Sequence, residues 1–306
     1  MDQSTIRSSV ATLIVGVLLG WAAPGWAAWG TGFTSCETQS EGAATTSLSC
    51  TLGSGNLEAG NVAVVSCATD NVSASGNTND HSPVTDSGGN TYTKAYEFTE
   101  GGTGSAGTGA TVSVHFSKLT TQLNSGSSTI TCNFASVTDK AMHVVREFTI
   151  GAGNTVSIAG TPVGEESNGG DAGSLTVGSL TSGDYLWVRA IATESNNANA
   201  MTPTALFTRP VFPGDGCNNT TTGGEASDIG ACSEWDIATG TTNTSDPTLV
   251  DTSNDNASVF VALKEEASAP ANDDSPQQII QHAPTQIIIS QIPAGRGSQR
   301  RSARKP

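Results

Sequence analysis

The chain has 306 residues, of which 36% are hydrophobic and 13% charged, and its formal net charge is −15 at pH 7. From residue 28 to residue 294 there are 7 basic and 27 acidic residues, a net of −20, and such a field disfavours nucleic acid and anionic membranes as partners. Gly, Ser, Thr and Asn abound while straight-chain helix formers are scarce, which argues against a helical protein and for an all-β one.

Residues 1–27 read as a secretory signal peptide. Arg7 precedes an apolar run from Val10 to Leu19, and Gly25-Trp26-Ala27 supplies small residues at the positions a signal peptidase reads. The mature chain is then expected to begin at Ala28 and to be secreted, extracellular or at the cell surface. No later segment approaches the roughly 20 apolar residues of a membrane helix, so no transmembrane span is expected in the mature chain.

Candidate strands follow, bounded by turn residues: Ser47 to Leu52, Asn61 to Ala68, Thr91 to Phe98, Thr111 to Lys118, Ser128 to Phe134, Ala141 to Thr149, Ser174 to Val177, Tyr185 to Thr193 and Ala257 to Leu263. In Ser128 to Phe134, Ile130, Cys132 and Phe134 share one face while Thr129, Thr131 and Asn133 share the other, the pattern of a half-buried strand. The expected fold is an antiparallel β-sandwich of jelly-roll type spanning 28–266.

An internal duplication is suggested by two stretches. Ser47-Leu48-Ser49-Cys50 leads to Gly60-Asn61-Val62-Ala63-Val64-Val65, and Ser174-Leu175-Thr176-Val177 leads to Gly183-Asp184-Tyr185-Leu186-Trp187-Val188. Ala110 to Phe116 is echoed by Ala231 to Trp235, and Met142 to Phe148 by Ser258 to Leu263. The pseudo-repeat halves would be 44–150 and 172–266, either folded as one large domain, which we favour, or as two tandem sandwiches. The connection from Gly151 to Gly173 carries apolar Val156, Ile158 and Val163, which suggest a strand or a packed loop.

All six cysteines, Cys36, Cys50, Cys67, Cys132, Cys217 and Cys232, lie beyond the leader, the even number expected of disulfides in an oxidising compartment. Only Cys217 with Cys232 is suggested as a pair, because a Gly-rich, turn-prone segment separates them. Zinc is the competing reading, but no CxxC or CxxH spacing is present.

Residues 267–306 form a Pro- and Gln-rich tail too polar to hold a core, ending in five basic residues from Gly295 to Pro306. Gln278-Ile279-Ile280-Gln281 and Gln286-Ile287-Ile288-Ile289 within it are β-prone. They could add a strand to a partner's sheet edge while the cations meet an acidic polymer or envelope.

Three groups of residues resemble a broad family of bacterial secreted and phage-associated β-sandwich modules: Ala59 to Val65, Val84-Thr85-Asp86-Ser87-Gly88-Gly89-Asn90-Thr91-Tyr92-Thr93, and Val112 to Phe116. The match covers most of Ser47 to Glu266 and is most specific in Asp86 to Thr93. The resemblance implies an extracellular structural, adhesive or tail-associated module without common catalytic residues. The leader, the cysteines and the basic tail depart from the usual pattern and fit a cell-exported version.

No GxSxG, HExxH or comparable signature accompanies the four histidines, His81, His115, His143 and His282, so no enzyme is expected. Calcium, which prefers several oxygen ligands, could be held by Asp70, Asp80 and Asp86 or by Asp251 and Asp255, though Asn and Asp also favour plain turns. No other cofactor is implied. Trp235, in a polar setting, with Tyr92 and Tyr96, are the candidates for stacking on a sugar, whereas Trp187 between Leu186 and Val188 reads as core. The expected role is a non-enzymatic structural or adhesive component whose partner is an extracellular protein or polysaccharide. A lectin-like module is the alternative, and a secreted hydrolase the third.

Overall fold

The structure, a computed structural model, describes residues 29–34, 36–40, 45–53, 55–70, 78–101, 109–137, 140–167, 171–194, 201–210, 217–219, 229–249 and 255–267. All of them belong to the first of two units, Met1–Ser268 and Ala269–Pro306. Every regular element among them is a strand, and every pairing between strands is antiparallel.

The first half of the chain supplies β1 (Gly30–Thr34), β2 (Thr38–Ser40), β3 (Thr45–Thr51), β4 (Val62–Asp70), β5 (His81–Asp86), β6 (Thr93–Thr99), β7 (Ala110–Lys118), β8 (Thr129–Val137) and β9 (Lys140–Thr149). The second supplies β10 (Thr155–Ser167), β11 (Leu175–Val177), β12 (Gly183–Glu194), β13 (Met201–Thr202), β14 (Cys217–Asn219), β15 (Ile229–Gly240), β16 (Asn243–Ser245), β17 (Thr248–Leu249) and β18 (Asn256–Glu266). All nine strands expected from the sequence are among these.

Two large sheets dominate. One runs β1-β9-β4-β7-β6, with β2 also on β9, and the other runs β10-β18-β12-β15-β14. The small sheet β3-β8-β5 accompanies the first, and the pairs β11-β16 and β13-β17 accompany the second. In each half the long strand that follows the first short-sheet strand, β4 or β12, lies between the last strand, β9 or β18, and the aromatic-bearing strand, β7 or β15.

Side-chain alternation explains the layering. On β4, Val62, Val64 and Ala68 join one apolar cluster while Ala63, Val65 and Cys67 join another. On β12, Leu186, Val188, Ala190 and Ala192 face the same cluster as Val62, whereas Tyr185 and Trp187 face the opposite way with Phe260 and Phe207. The two large sheets thus pack face to face, and each carries its small sheets on its outer face. A strand buried on both faces reads as a continuous apolar run, as Val62-Ala63-Val64-Val65 and Tyr185-Leu186-Trp187-Val188 do; the half-buried β8 keeps the period-two pattern.

Three disulfides cross-link the strands, and one of them joins two layers. Cys67 on β4 bonds Cys132 on β8, joining the centre of a large sheet to the centre of its small sheet across 6.0 Å between Cα atoms. Cys36 bonds Cys50 on β3. Cys217 on β14 bonds Cys232 directly opposite on β15, the pair that the sequence suggested. No helix among the described residues is long and apolar enough to cross a membrane.

Candidate functional site

Of the aromatic residues proposed for sugar contact, Trp235 and Tyr92 lie inside the molecule and Tyr96 is half-buried. Trp235 is 4% exposed and sits in the cluster between the two large sheets, edge-on to Phe148 at 6.1 Å between centroids. The polar residues around it in sequence, Ser233, Glu234 and Asp236, gave it a polar setting in one dimension that the fold does not keep. Tyr92 is also 4% exposed, and its hydroxyl donates to Asp86 Oδ2 at 3.0 Å. Tyr96 is half-buried against the inter-sheet cluster. Trp187 is fully buried and stacks on Phe260 at 6.0 Å.

The carboxylates proposed for calcium are dispersed. Asp86 Oδ1 accepts from the backbone N–H groups of Gly88 and Asn90 at 2.9 and 3.0 Å, and Oδ2 accepts from Asn90 Nδ2 and Tyr92 Oη. Asn90 Oδ1 in turn accepts from the N–H groups of Thr120 and Thr121. Asp-Ser-Gly-Gly-Asn is therefore a turn stitched by its own side chains, and Gly89 at φ +73° needs to be glycine. Asp80 Oδ2 accepts from Thr99 Oγ1 at 3.1 Å. Asp70 ends β4, Asp255 precedes β18, and Asp251 lies outside the described residues. Among the described residues, no three His, Cys, Asp or Glu side chains are grouped to hold a metal ion.

The richest polar constellation was not anticipated: it lies inside the first half, between β7 and β5. Thr111, Ser113, His115 and Ser117 alternate with the apolar Val112, Val114 and Phe116 along β7, a stripe that in sequence looks like a solvent face. All four are buried. His81 Nδ1 and His115 Nε2 both bond Ser113 Oγ, at 2.7 and 2.9 Å, and His81 Nε2 bonds Thr69 Oγ1 at 2.9 Å. A hydroxyl has one hydrogen, so one of the two rings presents an N–H to Ser113. Burial first, then Lys94, holds the His115 pKa down to about 3. His81 is lowered well below its ordinary value by burial, His115 and Lys94.

Beside these rings, Glu97 accepts from the backbone N–H groups of Asp80 and His81 at 2.5 and 3.0 Å and pairs with Lys94 at 2.7 Å. Lys94 also donates to the carbonyls of Thr78 and His81. Serine, imidazole and carboxylate are thus neighbours, as a hydrolase requires. Glu97, however, bonds the His81 backbone rather than its ring, and the ring nitrogen opposite Ser113 meets the Thr69 hydroxyl rather than a carboxylate. The arrangement satisfies both ring nitrogens of His81, whereas buried His115 Nδ1 and Ser117 Oγ meet no hydrogen-bond partner among the described residues. His143 lies on β9, and His282 falls outside the described residues.

The second half holds a counterpart built on charge. Arg189 on β12 is fully buried, donates to the Ala172 and Gly173 carbonyls and to Ser258 Oγ, and lies 3.6 Å from Glu165. Its partner across β12 and β15 is Glu234, which accepts from Thr204 N–H, Thr204 Oγ1 and Ser245 Oγ. Burial lowers the Arg189 pKa to about 10 against the opposing pull of these acids. Between the large sheets, Val64, Ser66, Arg146, Phe148, Val188, Ser233, Glu234 and Trp235 line a void of about 10 Å³, room for a single water. Compared with family models, curated proteins and solved structures, the chain finds no match in any of the three.

Proposed function

We propose that the mature chain is a secreted, non-enzymatic structural or adhesive element of an extracellular surface or matrix. We further infer that it is one β-sandwich domain of jelly-roll type whose two halves are related by duplication and meet through their large sheets. The observation that carries the role is where the chemistry-bearing residues lie: Ser113, His81, His115, Arg189, Tyr92 and Trp235 are all interior and engaged with one another or with the core. Their effect is rigidity. Three disulfides add to it and suit an oxidising compartment.

The duplication is supported by strand order, β1-β9-β4-β7 in one large sheet against β10-β18-β12-β15 in the other. The small sheet β3-β8-β5 corresponds to β11-β16 and β13-β17, in which the strand equivalent to β8 is split. The order within each half also supports the jelly-roll type. The resemblance carried by Asp86 to Thr93 fits the same role, with residues 1–27 directing export and the tail docking to a partner or an envelope.

The test is retention of the purified mature protein on producer-cell envelopes and on a panel of insoluble polysaccharides. The structural reading expects retention on envelopes, lost in a chain ending at Glu266, and none on polysaccharides. Saturable binding to one glycan would overturn it in favour of the lectin-like alternative, and turnover of an ester or glycoside in favour of the hydrolase.

A further inference from the structure

The two large sheets face each other through apolar rows, and two of those rows end in opposite charges. On β7, Val112, Val114 and Phe116 belong to the inter-sheet cluster, and Lys118 is the next residue of that row. On β18, Val259, Val261 and Leu263 belong to the cluster, and Glu265 is the next residue of theirs. Both reach the turn that leads from β9 into β10, which is closed by the Asn154 N–H donating to the Gly151 carbonyl at 3.0 Å.

Asn154 is held from both sides. Lys118 Nζ donates to its main-chain carbonyl, and its side-chain Nδ2 donates to Glu265 Oε1 at 2.5 Å. The same carboxylate oxygen accepts the Gly151 N–H at 2.5 Å. Only glycine fits at 151, because a Cβ there would come within 2.7 Å of Asn154 Nδ2 and 2.9 Å of Glu265 Oε1. Glu265 is 5% exposed, and its second oxygen, Oε2, is buried without a hydrogen-bond partner, which is costly for an acid. Lys118 forms no ion pair among the described residues. An amine, a carboxamide and a buried acid in one cluster supply the nucleophile, the electrophile and the proton carrier of an amide exchange.

We propose that Lys118 and Asn154 are the site of an isopeptide bond that the folded chain forms by itself, with Glu265 as proton carrier. Lys118 passes a proton to Glu265, and the neutral Nζ adds to Asn154 Cγ, which is three bonds from the carbonyl carbon whose oxygen Nζ already touches. Glu265, bonded to Nδ2, relays to it both protons that Nζ gives up; the Cγ–Nδ2 bond breaks, and the nitrogen leaves as an ammonium ion. An ammonium and a carboxamide thus become a secondary amide and free ammonium, and no oxidant or other reactant is consumed. The product ties the end of β7 to the start of β10 across a sequence separation of 36, joining the two halves of the chain. Each of the three disulfides, by contrast, lies within one half. Formation of the bond needs no partner, so it is independent of the role proposed above.

The test is the intact mass of the purified mature protein, followed by reduction, alkylation and tryptic digestion. The expected mass is one ammonia below that of the chain with its three disulfides. A branched peptide joining Lys118 to Asn154 should survive reduction, with no cleavage after Lys118. Lys118→Arg and Asn154→Ala should each restore the full mass and lower the Tm, and Glu265→Gln should restore the full mass as well; Lys118→Arg, which keeps the charge at a half-buried position, serves if the buried Glu265 variant folds poorly. A wild-type mass equal to that of the unlinked chain overturns the proposal and leaves Lys118, Asn154 and Glu265 as a hydrogen-bonded clasp. A missing ammonia that persists in Lys118→Arg overturns it by placing the loss at another residue, and full linkage in Glu265→Gln overturns the part given to the acid.

Discussion

The guanidinium of Arg146, on β9 of one large sheet, lies 4.3 Å from the ring of Trp235, on β15 of the other. The same guanidinium is 6.0 Å from Phe148, which meets Trp235 edge-on. A cation over an indole face in a largely dry setting is worth about 1 to 2 kcal/mol, and here it couples the two halves of the chain.

Trp235→Ala should therefore act on stability rather than on ligand binding. Removing a buried indole costs about 3 to 5 kcal/mol, read as a lower urea midpoint, and Arg146→Leu about 1 to 2 kcal/mol. The double variant should cost less than the sum of the two, because the pair is in contact. Additive losses would mean that the stacking contributes nothing.

The disulfides should not contribute equally. Cys67–Cys132 closes 65 residues and Cys217–Cys232 closes 15, so chain entropy assigns about 4 kcal/mol to the first and about 3 kcal/mol to the second. Cys67→Ala with Cys132→Ala should lower the denaturation midpoint more than Cys217→Ala with Cys232→Ala. The reverse order would show that strain or residual structure outweighs loop length.

Strands with clean patterns were legible in the sequence; very short ones such as β2, β13, β14, β16 and β17, and two that proline interrupts, were not. β5 contains Pro83 and β10 contains Pro162; both are edge strands, and the pairing of each shifts register beside its proline, between Ser82 and Thr85 and between Ala159 and Val163. Edges and bulges tolerate a residue without an N–H, so no period-two signal survives there. Val156, Ile158 and Val163 were the visible trace of β10. The polar face of β7 misled for a different reason. Thr111, Ser113 and His115 are covered by a neighbouring sheet, and burial by a distant segment leaves no mark in local sequence. Trp235 misled in the same way, since Glu234 and Asp236 face away from the layer that holds it.

Asp86 supplies a local test of the turn that carried the family resemblance. Its carboxylate accepts four hydrogen bonds, from Gly88, Asn90 twice and Tyr92. Asp86→Ala orphans these donors and should cost at least about 2 to 3 kcal/mol, with amide exchange accelerated at Gly88, Asn90 and Thr120. Calcium should not restore the loss, because the residue bonds its own loop. Rescue of the wild-type protein's loop order by calcium after chelation would instead make Asp86 a ligand.

Acid should weaken the first half through its buried imidazoles. Folding holds the His115 pKa at about 3 through burial and Lys94, whereas in the unfolded chain it is near the ordinary value of 6.5. Above that value both states are neutral and the stabilisation is complete. As pH falls from 6.5 toward 3 the unfolded chain takes a proton that the folded one refuses, and stability drops by up to about 1.4 kcal/mol per pH unit. His81, also lowered, adds in the same direction. Glu100 and Glu194, raised by burial to about 8 and about 7, have the opposite sign: their contribution is complete below the ordinary carboxyl range and is lost as pH rises through those values. Stability should thus fall on both sides of an intermediate pH. His115→Gln keeps a polar atom near Nε2 but cannot titrate, so urea midpoints measured between pH 3.5 and 6.5 should fall less steeply with acid than in the wild type. Equal slopes in the two proteins would show that His115 is protonated in the fold and that Ser113 holds it as a cation.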